Sequence, residues 1–317
     1  FRDVVTWSAL MAGYAQYGHG HMALKCFEIM RIEGISPDSV SYICALNACG
    51  ITGSIEIGKS IHEEIMNYAE HLTDKDVVLG TALIDMYAKC GMLKTAQKVL
   101  DELPFRDVVA WSALIVGYAQ HGYGHEAIDC FKQMQEEGLS PDTFTFSCIL
   151  KACGNTGSIH MGKRIHEEIV NKRFLEKSVV LGNALVDMYA KCGLLAKARK
   201  VLEELPIRNV VTWSALISGY VQHGHGRQAL DCFAQMQREG LSPNEITFTS
   251  ILKACGSIGA IDEGEKIHNE IANNGLLEKN IELGNALVDM YVKCGCLEKS
   301  QRVLRGLRFK NVVSWST

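Results

Sequence analysis

The 317-residue sequence predicts an all-α fold, a right-handed α-solenoid superhelix built from helix-turn-helix repeats. Three observations predict it. Trp7, Trp111, Trp213 and Trp315 each open a near-identical segment beginning Trp-Ser, at spacings of 104, 102 and 102 residues, and self-similarity at a fixed long period marks a repeat architecture. Within each period apolar residues recur at the 3.6-residue spacing of amphipathic helices. One glycine recurs at a fixed place in every subdivision, where a helix has to end.

Each long period divides into three related segments: 4–38, 39–76 and 77–107; 108–142, 143–178 and 179–209; 210–244, 245–280 and 281–311. Counted from the first residue of a segment, positions 4, 7, 8 and 11 form the inner stripe of a first helix. Position 7 is Leu10, Ala45, Leu83, Leu114, Ile149, Leu185, Leu216, Ile251 and Leu287. Position 15 is glycine in all nine segments, from Gly18 to Gly295, and supplies the left-handed turn out of that helix. A second amphipathic helix follows, as in Ala127, Ile128, Phe131 and Met134, and ends near Gly138 with Pro141 shortly after. Position 20 is small (Ala23, Gly58, Ala96, Ala127, Gly162, Ala198, Ala229, Gly264, Ser300), which predicts close approach of the two helices. Such a hairpin cannot bury its apolar faces alone, so neighbouring hairpins must stack. Residues 1–3 and 312–317 read as pieces of flanking repeats, and the segment set as part of a longer array.

Composition agrees with this and removes other classes. With 47% hydrophobic and 21% charged residues and five prolines, the chain is neither disordered nor membrane-spanning; no window approaches the roughly 18 uninterrupted apolar residues a spanning helix needs. The twelve cysteines sit at repeat positions, Cys49, Cys153 and Cys255 in Ala-Cys-Gly and Cys90, Cys192 and Cys294 in Lys-Cys-Gly, and are expected to be reduced thiols filling small packing sites. A net charge of −4 excludes a protein that grips nucleic acid by bulk electrostatics, so any such binding needs a local surface. The sequence opens on Phe1 without a charged-then-apolar segment, and a targeting peptide is expected outside it.

These residues resemble the pentatricopeptide repeat family over 4–311, in particular its subclass with alternating P, L and S units. The resemblance is carried by Trp-Ser-Ala-Leu with Gly-Tyr-Ala-Gln and the Gly-Leu-Ser-Pro-Asp ending at 138–142 in P units. The L units carry Ile-Leu-Lys-Ala-Cys-Gly at 149–154, and the S units Asn-Ala-Leu-Val-Asp-Met-Tyr-Ala-Lys-Cys-Gly at 183–193. The family is known for binding single-stranded organellar RNA at one base per repeat, and many arrays of this subclass direct cytidine-to-uridine editing. The resemblance therefore implies an RNA-binding array of a mitochondrial or chloroplast editing or processing factor, acting with RNA-editing partner proteins and without a cofactor.

In the family the fifth and last residues of a unit choose the base. The matching pairs are Ser8 with Asp38, Thr81 with Asp107, Ser112 with Asp142, Asn183 with Asn209, Ser214 with Asn244, and Asn285 with Asn311. Hydroxyls and amides donate or accept while Asp only accepts, so such pairs can discriminate Watson–Crick edges. The same residue types are ordinary helix caps, and the two roles are compatible. By the family code the expected target is 5′-G-n-G-G-n-Y-A-n-Y-3′. The L units depart from it: Ile43 is apolar, Ser147 pairs with Ser178 and Thr249 with Asn280, and their letters stay open.

Second positions, which in the family sandwich the base, are Val5, Val40, Val78, Val109, Phe144, Val180, Val211 and Ile246; plain packing between units is the competing reading. Glu282 is the exception, and its carboxylate would repel phosphate. Lys89, Lys191 and Lys293 at position 13 of the S units are placed to touch the RNA backbone, or are solvated lysines at a helix C-terminus.

Zinc deaminases need His-x-Glu with a later Pro-Cys-x-x-Cys. His62-Glu63-Glu64, His166-Glu167-Glu168 and His268-Asn269-Glu270 match the first half, but they recur at one repeat position and Pro-Cys-x-x-Cys occurs nowhere. Cys294 and Cys296 are too close together for a zinc pair. The His-rich turns at His19, His21, His121, His125, His223 and His225 recur with the repeat and read as solvated. No catalytic residue and no metal site is expected, and any deaminase would lie outside this chain. The alternative is a protein-binding scaffold of the tetratricopeptide kind, which keeps a uniform 34-residue period.

Overall fold

A computed structural model describes residues 3–68, 77–278 and 280–307. Among the described residues there are eighteen α-helices, two single 3-10 turns and no strand, the all-α helix-turn-helix solenoid class that the periodicity predicts. No helix among them is long and apolar enough to cross a membrane. The contacts divide the chain into two compact units, Phe1–Ala152 and Cys153–Thr317.

The first unit runs α1 (Val4–Gln16), α2 (Gly20–Ile32), α3 (Ser39–Thr52), α4 (Ile55–Tyr68), α5 (Val77–Lys89), α6 (Leu93–Glu102), α7 (Val108–Gln120) and α8 (Gly124–Glu136), and α9 (Thr143–Thr156) begins in it. The second holds α10 (Ile159–Asn171), α11 (Val179–Lys191), α12 (Leu195–Glu204), α13 (Val210–Gln222), α14 (Gly226–Arg238), α15 (Glu245–Ile258), α16 (Ile261–Asn273), α17 (Ile281–Lys293) and α18 (Leu297–Gly306). Short 3-10 turns at Phe174–Glu176 and Leu276–Glu278 follow α10 and α16. In each unit the odd-numbered helices pack in a row (α1 on α3, α3 on α5, α5 on α7; α11 on α13, α13 on α15, α15 on α17), each with its own following helix behind it.

The turns follow from backbone chemistry. All nine position-15 glycines take positive φ, between 68° and 84°, a region in which a Cβ is strained. Arg173 does the same job at φ 54° before the first 3-10 turn, where the next repeat has Gly275 at φ 63°. The cores of both units are the inner stripes: Leu83, Trp111, Leu114, Phe131 and Phe146 in the first, Leu185, Tyr189, Trp213, Ile251 and Leu287 in the second, all nearly or fully buried. Leu10, on the first helix, is the one member of the position-7 stripe left exposed, at 45%.

The small residues at position 20 have a different partner from the one expected in the longer segments. On α4 a Cβ at Gly58 would stand 2.5 Å from Met86 Sδ of α5, and Gly162 and Gly264 meet Met188 and Met290 in the same way. They make room for a methionine of the next helical pair. The thiols are free and packed. Cys153 and Cys255 are fully buried, and burial pushes each thiol up to about 12. Cys192 and Cys294 donate to the carbonyl oxygens of those same cysteines at 3.7 and 3.8 Å. A further tie joins successive hairpins: Glu137 accepts from the Trp111 indole at 2.8 Å and pairs with Arg106 at 3.0 Å, and Glu239 does so with Trp213 and Arg208 at 3.0 and 3.6 Å.

Candidate nucleic-acid interface

In each unit the expected base-reading residues among those described lie on the first helices or cap their N-termini. In the first unit a groove of about 510 Å³ is lined by Val78, Thr81, Val109, Ser112, Asp142 and Phe144, with Lys89 at its edge. The structure thus brings the Ser112–Asp142 pair, Thr81 of the neighbouring pair and the second-position residues that flank them into one concavity.

Among the described residues, the last residue of each pair is a helix cap. Asp38, Asp107 and Asp142 each use Oδ1 to accept the backbone N–H of Ser41, Ala110 and Thr145, at 2.8, 2.8 and 2.7 Å. Asn209 and Asn244 do the same with Thr212 and Thr247, at 3.0 and 2.9 Å. The capping alternative is therefore a structural fact, and its consequence is directional. A backbone N–H requires an acceptor, so the cap fixes Oδ1 inward. The atom that the cap does not engage is Oδ2, an acceptor, in the aspartates and the amide NH2, a donor, in the asparagines.

The fifth residue sits deeper. Ser8, Ser112 and Ser214 are buried, while Thr81, Asn183 and Asn285 are half-buried. The hydroxyls of Ser112 and Ser214 donate to the carbonyl oxygens of Val108 and Val210 at 2.6 Å, and Thr81 to that of Val77 at 2.8 Å. Asn311, the expected partner of Asn285, lies outside the described residues.

A third group, absent from the sequence reading, stands between the two members of a pair. Ser41 bridges Ser8 and Asp38 (2.8 and 2.7 Å), Thr145 bridges Ser112 and Asp142 (2.6 and 2.7 Å), and Thr247 bridges Ser214 and Asn244 (2.6 and 2.8 Å). Thr212 bridges Asn183 and Asn209 at 2.6 and 2.9 Å. Between Thr81 and Asp107 the corresponding residue is Ala110, which has no hydroxyl. The signal is a Ser or Thr three residues after Asp38, Asp142, Asn209 and Asn244, the pattern of a capping box, which Asn209–Thr212 and Asn244–Thr247 complete reciprocally.

The second positions are exposed by 50–68% from Val5 to Ile246, so packing between units does not account for them. Apolar side chains held this open in a row can flank flat apolar ligands. Glu282 is exposed as well, its N–H donated to Asn280 Oδ1 at 2.9 Å. The three position-13 lysines are neither free nor merely solvated. Lys89, Lys191 and Lys293 pair with Asp85, Asp187 and Asp289 one turn earlier at 2.6, 2.8 and 2.7 Å. Their stems lie over Gly50, Gly154 and Gly256 of the preceding helix in the row, where a Cβ would stand 2.9, 3.3 and 3.2 Å from the lysine Cδ.

The deaminase-like histidines face the other way, into packing. His62, His166 and His268 bond through Nδ1 to the hydroxyls of Tyr87, Tyr189 and Tyr291 at 2.9, 2.9 and 2.8 Å. Desolvation holds all three imidazoles below their ordinary value. His121 and His223, in the His-rich turns, place Nε2 at 3.0 and 3.1 Å from the carbonyl oxygens of Ala88 and Ala190, so these two are docked rather than solvated.

A row of paired helices with a capped, hydroxyl-bridged face defines the class: an α-solenoid of helix-turn-helix repeats. The chain matches the PPR repeat family over residues 2–50, 106–155 and 208–257 and the PPR repeat over 81–108, 183–210, 246–276 and 285–312. It is 37% identical over 314 residues to the chloroplastic pentatricopeptide repeat-containing protein At4g18520 of Arabidopsis thaliana, covering 99% of this chain and 50% of that one. With At2g33680 of the same plant it shares 36% over 304 residues, covering 96% and 41%. The chain thus spans half or less of the length of these relatives. Among solved structures it superimposes on maize PPR10 in complex with an 18-nt psaJ RNA element with a TM-score of 0.82, at 21% identity over 99% of this chain and 47% of that one. This chain belongs to the pentatricopeptide repeat family.

Proposed function

We propose that the chain is the targeting array of an organellar RNA editing or processing factor, which binds single-stranded RNA at one base per repeat through nine units in three P-L-S triplets. The observation that carries this reading is the cap at the last position of a unit, which engages Oδ1 and leaves the second side-chain atom to face a base. Beside a serine hydroxyl, the outward Oδ2 of Asp38 or Asp142 offers an acceptor, which suits the N–H donors on the Watson–Crick edge of guanine. The outward amide of Asn244 offers a donor, which suits adenine N1. Two asparagines, Asn183 and Asn209, suit the carbonyl acceptors of a pyrimidine. The chemistry agrees with the family code at these units and supports the target 5′-G-n-G-G-n-Y-A-n-Y-3′, whose last letter rests on Asn285 and Asn311.

Other features support the same reading. Helices begin at Val4, Ser39, Val77, Val108, Thr143, Val179, Val210, Glu245 and Ile281, the first residues of the nine units. The exposed Val5, Val78, Val109, Val180 and Val211 are placed to sandwich bases. Lys89, Lys191 and Lys293 are placed for phosphate, each exchanging its aspartate for the RNA backbone; with so few cations, selectivity has to come from base contacts. The chloroplastic relative supports a chloroplast or mitochondrial site of action, where editing proteins would be the partners and chemistry on the RNA would be done by a domain outside these residues.

Gel-shift titration with the proposed RNA and with a scrambled strand of equal composition tests the proposal. Tighter binding of the proposed strand supports it. Equal, absent or purely salt-driven binding contradicts it and favours a protein-binding scaffold. At unit level, Ser112→Asn opposite Asp142 is expected to move the preference from guanine toward uracil.

A further inference from the structure

We infer that the hydroxyl three residues beyond the cap, on Ser41, Thr145 and Thr247, is a specificity-determining positioning group that locks the two base-reading side chains into one hydrogen-bonding state. The inference rests on the base-reading proposal.

Proton counting carries it. Around Thr145 three oxygen–oxygen contacts are short: Ser112 Oγ to Val108 O at 2.6 Å, Ser112 Oγ to Thr145 Oγ1 at 2.6 Å, and Thr145 Oγ1 to Asp142 Oδ1 at 2.7 Å. Only two hydroxyl protons serve them. A carboxylate accepts only, so the Thr145 proton goes to Asp142. The Thr145 oxygen can then only accept, and Ser112 directs its own proton inward, to Thr145 or to Val108. Either way Ser112 turns a lone pair, not a proton, toward the groove. Thr145 also holds the Asp142 carboxylate by a second bond beside the cap, fixing the direction of its outward oxygen.

The result is two acceptors side by side at Ser112 and Asp142, a match for the two adjacent N–H donors of guanine and a mismatch for the other bases. Around Thr247 the same relay turns Ser214 into an acceptor beside the donor of Asn244, the pattern complementary to adenine. Burial of Ser41, Thr145 and Thr247, each with 0% exposure, keeps water from supplying a competing proton. At Ala110 the relay is missing: Asp107 keeps its cap but has no hydroxyl tie to Thr81. That unit is expected to discriminate less sharply than the one built on Ser112, although both favour guanine.

The test measures dissociation constants of the full 317-residue chain for RNAs carrying each of the four bases at the third or the fourth letter of the target. Thr145→Val is expected to reduce the preference for guanine at the fourth letter about three- to tenfold, the worth of one hydrogen bond, leaving the other letters unchanged; Thr145→Ser restores it. Ala110→Thr copies the Val-Val-Thr-Trp of 210–213 and is expected to sharpen the third letter by a similar factor. Ser112→Asn runs alongside. If it shifts the base ranking while Thr145→Val and Ala110→Thr leave discrimination as in the parent, or weaken all four bases equally, the relay is only a cap and the inference fails. If Ser112→Asn also leaves the ranking untouched, the base-reading proposal itself fails.

Discussion

Gly219 of α13 lies directly against Ala190 of α11: a Cβ placed on the glycine would stand 2.5 Å from the alanine Cβ and 3.2 Å from its Cα. Neither atom can swing aside, so the spacing of two first helices in the row is set here by the absence of a side chain. Gly117 meets Ala88 in the same way at 2.6 Å, whereas Gly13, at the same repeat position, has nothing within 4 Å. The repeat thus contains its own control. Gly219→Ala is expected to lower stability by about 1–3 kcal/mol through overpacking, against the gain of about 1 kcal/mol that alanine brings to a helix interior. Gly13→Ala keeps only the gain. Urea denaturation of the two variants should move the midpoint in opposite directions; equal stabilisation by both would show that the helices do not touch at Gly219.

A pH dependence follows from the His–Tyr pairs. Burial holds His62, His166 and His268 below the ordinary 6.5, an effect partly offset by nearby carboxylates such as Glu102, Glu204 and Glu265. Between the lowered values and 6.5 the unfolded chain binds protons that the folded chain does not. Stability is therefore full above about pH 6.5 and falls as the pH drops through that window. Replacing the three histidines with glutamine should flatten the dependence of the urea midpoint between pH 7.5 and 5.5. An unchanged slope would mean that other groups carry it.

Arg173 holds a left-handed backbone that its repeat counterpart Gly275 holds without strain. A non-glycine residue in that region costs roughly 1–2 kcal/mol, while glycine costs about 0.5–1 kcal/mol in unfolded-chain entropy. Arg173→Gly is expected to stabilise by about 0.5 kcal/mol and Gly275→Arg to destabilise by a similar amount, read by urea denaturation. Loss of stability in Arg173→Gly would mean that the arginine side chain contributes more than its backbone costs.

Helix existence and turn chemistry were legible because they are local: the position-15 glycines and the inner stripe need only neighbours in sequence to be recognised. Two features of the face formed by the first helices are equally local. The Asp-x-x-x-Lys spacing of 85–89, 187–191 and 289–293 announces an ion pair on one helix, and the Ser or Thr three residues after Asp38, Asp142, Asn209 and Asn244 announces a capping box. What pattern could not supply is contact between units. That Thr145 reaches back to Ser112, that Gly58 makes room for Met86, and that Val109 stays open while Leu114 is buried depend on how one hairpin lies on the next. The polar pairs themselves were visible, but their hydrogen-bonding direction required the cap geometry.

That direction is the centre of the account, and Asp142→Asn tests it most directly. Asparagine caps a helix about as well as aspartate, so Thr145 N–H and the bridging hydroxyl keep their acceptor, and the change at the groove is the outward atom, from oxygen to NH2. Dissociation constants for RNAs bearing each of the four bases at the fourth letter should show the preference moving from guanine to adenine, by about tenfold or more for a hydrogen bond to a charged group. An unchanged ranking with an intact helical spectrum would contradict the account.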